Sequence, residues 1–145
     1  PLALSGGEKR RLAVAGVIAT KPQILIFDEP IAGLDPYSRE NFLQFVTQMN
    51  QAGTTIIMVS HNMEALAEYT QHLLVLEKGR LIDAGPTREV FIRLKQRKDG
   101  AFGQTAAQKI VTLLAERELK LPLAVVTYGD LLAALKHELT GGGRG

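Results

Sequence analysis

Two short runs of β-forming residues constrain this chain more than any other feature: "QILIF", Gln23 to Phe27, and "TTIIMVS", Thr54 to Ser60. Neither alternates apolar with polar residues as a half-wetted strand does, so each reads as a strand buried on both faces. Between them, Asp35 and Pro36 suit the N-cap and first position of a helix. Phe42, Phe45, Val46 and Met49 then form one apolar stripe that stops near Gly53. Strand, helix, strand with buried strands specifies an α/β architecture with a mainly parallel sheet.

The same reading extends to both ends. A helix is expected from Glu8 to Thr20, ended by Lys21-Pro22 because proline disfavours helical geometry in the residue before it. After the second strand come a short helix, Asn62 to about Thr70, and two short strands joined at Lys78-Gly79-Arg80, where Gly79 can supply a positive φ. Pro86 opens another helix, "TREVFIRLK". The charged, glycine-containing stretch "KQRKDGAFG" marks a boundary near Asp99 to Gly103, dividing residues 1–98 from an extension at 99–145. In that extension Ile110, Leu113 and Leu114, then Leu131, Leu132, Leu135 and Leu139, mark two helices around "LPLAVV". Thr127 and Asp130 start the second as a capping-box variant, and the terminal "TGGGRG" is expected to be disordered.

Composition narrows the class. A length of 145 residues can enclose one real core, and 46% hydrophobic with 22% charged residues is the balance of a globular protein. The longest apolar runs fall far short of the roughly 18 residues that cross a bilayer. The absence of cysteine excludes disulfides and thiolate metal sites, and a net charge of +2 gives no electrostatic footprint for nucleic acid. The chain begins at Pro1, inside a motif and without a signal peptide, which reads as the C-terminal part of something longer.

Three groups of residues could carry chemistry. Asp28 and Glu29 directly follow the first apolar strand, and the carboxyl ends of strands are where open α/β sheets bind ligands. Two adjacent acids beside a core are costly unless something cationic or reactive uses them. In phosphoryl transfer the first would serve Mg²⁺ and the second an attacking water. His61 follows the next strand, so if the two strands are neighbours it emerges on the same edge as Glu29, where it could donate to a terminal phosphate oxygen. Ser5, Gly6 and Gly7 precede the first helix and would offer backbone N–H groups and the helix dipole to an anion. Each group taken alone has an ordinary alternative: a loop acid pair, a loop histidine, a serine N-cap with flexible glycines. Their order in one chain gives them weight.

The runs "LSGGEKRR", "ILIFDEP", "AGLD" and "VSH" resemble the second half of an ATP-binding cassette (ABC) ATPase: signature motif, Walker B strand, D-loop and switch histidine. The resemblance covers Leu4 to Phe91. It implies that Ser5, Gly6 and Gly7 contact a γ-phosphate, that Asp28 serves Mg²⁺, that Glu29 is the catalytic base, that Asp35 lies at a dimer interface and that His61 is the switch. The implied ligands are ATP and Mg²⁺. Glu8 stands where many relatives have glutamine, and Ile31 replaces the more usual small hydroxyl residue. No "GxxxxGK[ST]" occurs, nor the glutamine-bearing loop expected ahead of the signature, so the chain alone is expected to be inactive. In this family two nucleotide-binding domains meet head to tail, and each signature caps the nucleotide on the other's P-loop.

Within the family, "GEKRRLAVAGVIATKPQILIFDEPIAGLDP", "GPTREVF" and the tail "ERELKLPLAVVTYGDLLAAL" resemble the ATPases of energy-coupling factor importers of vitamins or Co and Ni ions. That likeness implies a second ATPase subunit, identical or paralogous, transmembrane partners, and a place on the cytoplasmic face of a prokaryotic membrane. Two alternatives stand beside it: a soluble ABC ATPase of DNA repair or translation, and a truncated, non-catalytic fragment. The absence of basic patches weighs against nucleic acid.

Overall fold

The computed structural model describes residue 12 and residues 14–97, 102–119, 121–122 and 124–141. The expected start of the first helix at Glu8, the Ser5-Gly6-Gly7 turn and residues 142–145 of the glycine-rich end lie outside the described residues. The chain forms two compact units, Pro1–Ser60 and His61–Gly145.

In the first unit, residues 14–18 are helical and the chain turns at Lys21, whose φ is 49°. Strand β1 (Ile24–Asp28) then pairs in parallel with β2 (Thr55–Val59), in a register running from Ile24↔Thr55 to Asp28↔Val59. Helix α1 (Pro36–Gln51) connects them, with Asp35 as N-cap, Pro36 opening the helix and Gly53, at φ 100°, just beyond it. This agrees with the sequence reading of both caps.

The buried stripe of α1 is shifted from the one read in the sequence. Leu43 and Val46 are buried, Phe42 and Met49 are half-buried, and Phe45 is exposed. Phe42 meets Phe27 of β1 edge-on, with ring centroids 5.4 Å apart, the arrangement that aromatic quadrupoles favour. Leu25 on β1 is buried as well.

The expectation that both strands are buried on both faces needs correction. Ile24, Ile26, Ile57 and Val59 are between 47% and 68% exposed. Side chains two apart share a face, and the register sets Ile26 beside Ile57 and Asp28 beside Val59. One face of the pair thus carries a continuous apolar patch. The physical reason is that α1 packs on the opposite side, and no described residue of this unit covers the patch to the extent a parallel sheet normally requires.

The second unit begins with α2 (Met63–Tyr69), capped by Asn62, whose side chain accepts from the Ala65 N–H at 2.9 Å. β3 (His72–Glu77) and β4 (Arg80–Pro86) form an antiparallel hairpin with a register shift between Val75 and Leu76. Its turn residues Lys78 and Gly79 have φ of 48° and 75°, the positive values that match a hairpin's twist. Helix α3 (Thr87–Gln96) buries Val90, Phe91 and Leu94.

The two tail helices expected from the leucine pattern are present as α4 (Ala106–Ala115) and α5 (Tyr128–Gly141). Ala107, Val111, Leu121, Val125 and Leu131 form their shared core. The Thr127–Asp130 cap is formed: the Asp130 N–H donates to Thr127 Oγ1 at 3.2 Å, and the Thr127 N–H donates to Asp130 Oδ2 at 2.9 Å.

Polar links join this tail to α3. Gln108, 1% exposed, accepts from the Thr105 N–H through Oε1 and donates from Nε2 to the Phe91 carbonyl. Arg88 donates to the Ala124 carbonyl at 2.8 Å and pairs with Asp130. At Asp130 burial pushes the carboxyl pKa upward, but the donors from Thr127, Arg88 and Val126 outweigh it and leave the pKa lowered.

Candidate nucleotide-hydrolysis site

Parallel pairing of β1 with β2 brings the carboxyl ends of both strands to one edge of the first unit. Asp28 ends β1 there, opposite Val59, with its side chain exposed. Glu29 is the next residue. Its N–H donates to the Val59 carbonyl at 2.9 Å, so the ladder continues one residue beyond the strand.

Glu29 adopts φ 44°, a left-handed conformation that costs a residue with a Cβ roughly 1–2 kcal/mol. The surrounding structure holds it there. The Ala32 N–H donates to the Glu29 carbonyl at 3.2 Å, and the adjoining Pro30 and Ile31 are buried, Ile31 at 2% exposure. Ile31, where a small hydroxyl residue is the more usual choice, is therefore the apolar anchor of the turn that carries the acid. Ser60, just past β2, places its hydroxyl 3.4 Å from Glu29 Oε2. That contact is longer than an optimal hydroxyl–carboxylate bond, and its donor hydroxyl points to the same carboxylate edge.

Asp35 is committed to helix capping: its carboxylate accepts from the Ser38 N–H at 2.9 Å. The Ser38 hydroxyl and N–H together hold its pKa below the usual carboxylate value. A groove of about 750 Å³ runs beside it, lined by Ile18, Pro30, Leu34, Tyr37 and Phe45 among others. His61 is exposed and follows Ser60 directly as the first residue of the second unit.

The structure thus brings Asp28 and Glu29 together at a strand end, with Ser60 beside them. It places Asp35 six residues further on at the start of α1, and Ser5, Gly6 and Gly7 lie outside the described residues. Sequence reasoning missed two features here. The left-handed turn at Glu29 has no local signal, since no glycine or asparagine marks it. The Ser60 hydroxyl lay within the quoted "VSH" but was given no role.

Among the described residues, no group of three or more His, Cys, Asp or Glu side chains could hold a metal by itself. A single hard carboxylate such as that of Asp28 suits Mg²⁺, which keeps most of its shell as water and substrate phosphate.

Comparison with known proteins shows what the chain is similar to. Residues 1–67 match the AAA domain family described as a putative AbiEii toxin of a type IV toxin–antitoxin system. The energy-coupling factor transporter ATP-binding protein EcfA2 of Symbiobacterium thermophilum is 40% identical over 141 residues, 97% of this chain and 49% of that protein. Among solved structures, cbiO1 from Clostridium perfringens, described as part of the ABC transporter complex cbiONQ, aligns at 36% identity with a TM-score of 0.54, over 67% of this chain and 41% of that one. The ATP-binding cassette MJ0796, solved as a post-hydrolysis dimer with ADP and Pi, aligns at 27% identity with a TM-score of 0.55, over 60% of this chain and 38% of its own.

The chain shares its fold with ABC ATPases and is similar to them in sequence. Its likeness to EcfA2 spans nearly all of its length, far more than the AAA match at its front. The chain spans about half the length of the curated relatives it matches. The ABC ATPase fold accounts for the parallel β1–β2 pair with acids at its carboxyl rim. No helix among the described residues is long and apolar enough to cross a membrane.

Proposed function

We propose that these 145 residues supply the hydrolytic rim of an ABC importer ATPase of the energy-coupling factor class. The observation that carries this reading is Glu29 itself: an acid held in a strained left-handed turn at the carboxyl end of β1, tied to β2 through the Val59 carbonyl, where an ordinary surface acid has no need to be. Strain maintained at a strand rim in an ABC ATPase is the mark of a side chain whose position matters.

In this reading Glu29 accepts the proton of the water that attacks the γ-phosphate, and the turn anchored by Ile31 fixes its carboxylate in line. The exposed Asp28 carboxylate serves as the protein's ligand to Mg²⁺. When bound, Mg²⁺ would neutralise charge on the phosphate oxygens. His61 donates to the γ-phosphate and keeps the reacting groups aligned, a positioning and electrostatic role. Ser5, Gly6 and Gly7 cap the nucleotide bound by a second ATPase subunit, identical or paralogous, and Asp35 lies near that subunit. Transmembrane subunits on the cytoplasmic face of a prokaryotic membrane receive the conformational change, and the cargo is a vitamin or a Co or Ni ion.

The reading also requires a nucleotide-gripping half, and the exposed face of β1 and β2 supports one. Covering Ile24, Ile26, Ile57 and Val59, which are 47% to 68% exposed, would gain on the order of 5 kcal/mol. Parallel sheets are stable when both faces are covered. The test is to compare the chain alone with a fusion that joins it behind the N-terminal half of the Symbiobacterium EcfA2 relative. Mg-ATP is expected to raise the melting temperature of the fusion and leave that of the chain unchanged. A clear Mg-ATP shift for residues 1–145 alone would refute the requirement for that half.

A further inference from the structure

The tail of this chain touches the segment that follows His61. The Glu64 carboxylate of α2 accepts from the Ala106 N–H, the first helical residue of α4, at 2.8 Å. One turn earlier in the tail, Gly103 lies so near Met63 that a Cβ placed on it would stand 3.2 Å from Met63 Cγ. Both contacts fall on the first two residues of α2, and Asn62 caps that helix from within the same turn. The N–H of Ala106 is one of the donors that a helix start leaves without an intrahelical partner, and an anion there also meets the positive end of the dipole. α4 is itself rigidly held: Thr105 and Gln108 form a buried capping box, and the Thr105 hydroxyl donates to the Val126 carbonyl at 2.7 Å.

We propose that Glu64 is a positioning residue: its bond to the Ala106 N–H makes the C-terminal extension a fixed support for the first turn of α2, and so for the placement of His61. α2 has only seven residues, too few to hold its own position by helix stability. Its first turn is fixed by the Asn62 cap within the segment and by Glu64 and Met63 against the tail. The proposal rests on the reading of His61 as the group that aligns the γ-phosphate.

The test uses the full cassette formed by the fusion described above. Ala106→Pro removes the N–H while leaving the helix start sound, because proline is favoured at the first helical position and Thr105, at φ −66° and ψ 158°, already has the conformation a following proline demands. Glu64→Ala removes the acceptor, and Glu64→Gln keeps an acceptor oxygen. We expect Ala106→Pro and Glu64→Ala each to lower kcat about fivefold, equivalent to roughly 1 kcal/mol, with KM for ATP unchanged. The double variant should lose no more than either single one, and Glu64→Gln should keep most of the activity. Hydrogen exchange across residues 63–69 should quicken equally in the two singles and the double variant, whatever their turnover.

Full kcat together with unchanged exchange in Ala106→Pro would overturn the proposal, as would losses that multiply in the double variant. His61→Ala separates it from the reading beneath it. If that variant hydrolyses ATP normally, the role of His61 fails; if it is inactive while Ala106→Pro is normal, only the support by the tail fails.

Discussion

Replacing Gln108 by leucine should unfold the second unit more readily, by an amount the structure lets one estimate. The side chain is 1% exposed and makes two bonds: Oε1 accepts from the Thr105 N–H at 3.1 Å, and Nε2 donates to the Phe91 carbonyl at 3.2 Å. Leucine nearly conserves the volume, so the cavity cost is small and the polar cost dominates. The Thr105 N–H would be left buried without that acceptor, about 1–3 kcal/mol. The Phe91 carbonyl lies within α3, where the helical ladder offers another donor, so its loss is nearer 1 kcal/mol. The expected total is about 3 kcal/mol. Leu113→Gln on the same helix, at a side chain 59% exposed, should change stability by less than about 0.5 kcal/mol. The assay is urea unfolding of both variants beside the parent, with hydrogen exchange across α4 and α5 to confirm which unit opens. A Gln108→Leu variant as stable as the parent would refute the argument that these bonds tie the tail to α3.

Two further outcomes follow from the charged groups. Asp130 has its pKa lowered from an ordinary 3.8, and Asp83 likewise through the paired bonds from Arg93, both at 2.9 Å. Their contributions are therefore present above the ordinary carboxylate range and lost as pH falls through the lowered values. An acid titration of the second unit should lose stability below about pH 4, and Asp130→Asn should flatten that loss. A second set concerns α1: Asp35→Ala should quicken exchange of the Ser38 amide, while Asp35→Ser, which keeps a capping oxygen, should restore its protection.

Local chemistry made much of this structure legible in the sequence. Asp35-Pro36, the glycine of the hairpin turn and Thr127 with Asp130 each act within four residues, and each was found where its own chemistry placed it. Asp28 and Glu29 could be placed at a strand end because the run before them could only be a strand. Long-range features left weaker traces. The Thr105-x-x-Gln108 spacing is a capping-box signal visible in the sequence, but nothing local says that Gln108 also reaches Phe91, seventeen residues away. Arg88 binding Ala124 and Glu64 binding Ala106 lack any periodic signal. The strand faces went wrong for a different reason: "QILIF" encodes an environment for both faces, while the described residues supply only one.

The proposed role of Glu29 is to activate water for attack on a nucleotide. It is tested most directly by Glu29→Gln in the full cassette made by the fusion, measuring Mg-ATP affinity and turnover together. The amide keeps size and shape but cannot take the proton, so affinity should be retained while turnover falls by roughly a hundredfold or more. Hydrolysis at the parent rate would remove Glu29 from the chemistry, and with it the account of why this strand ends in a strained acid.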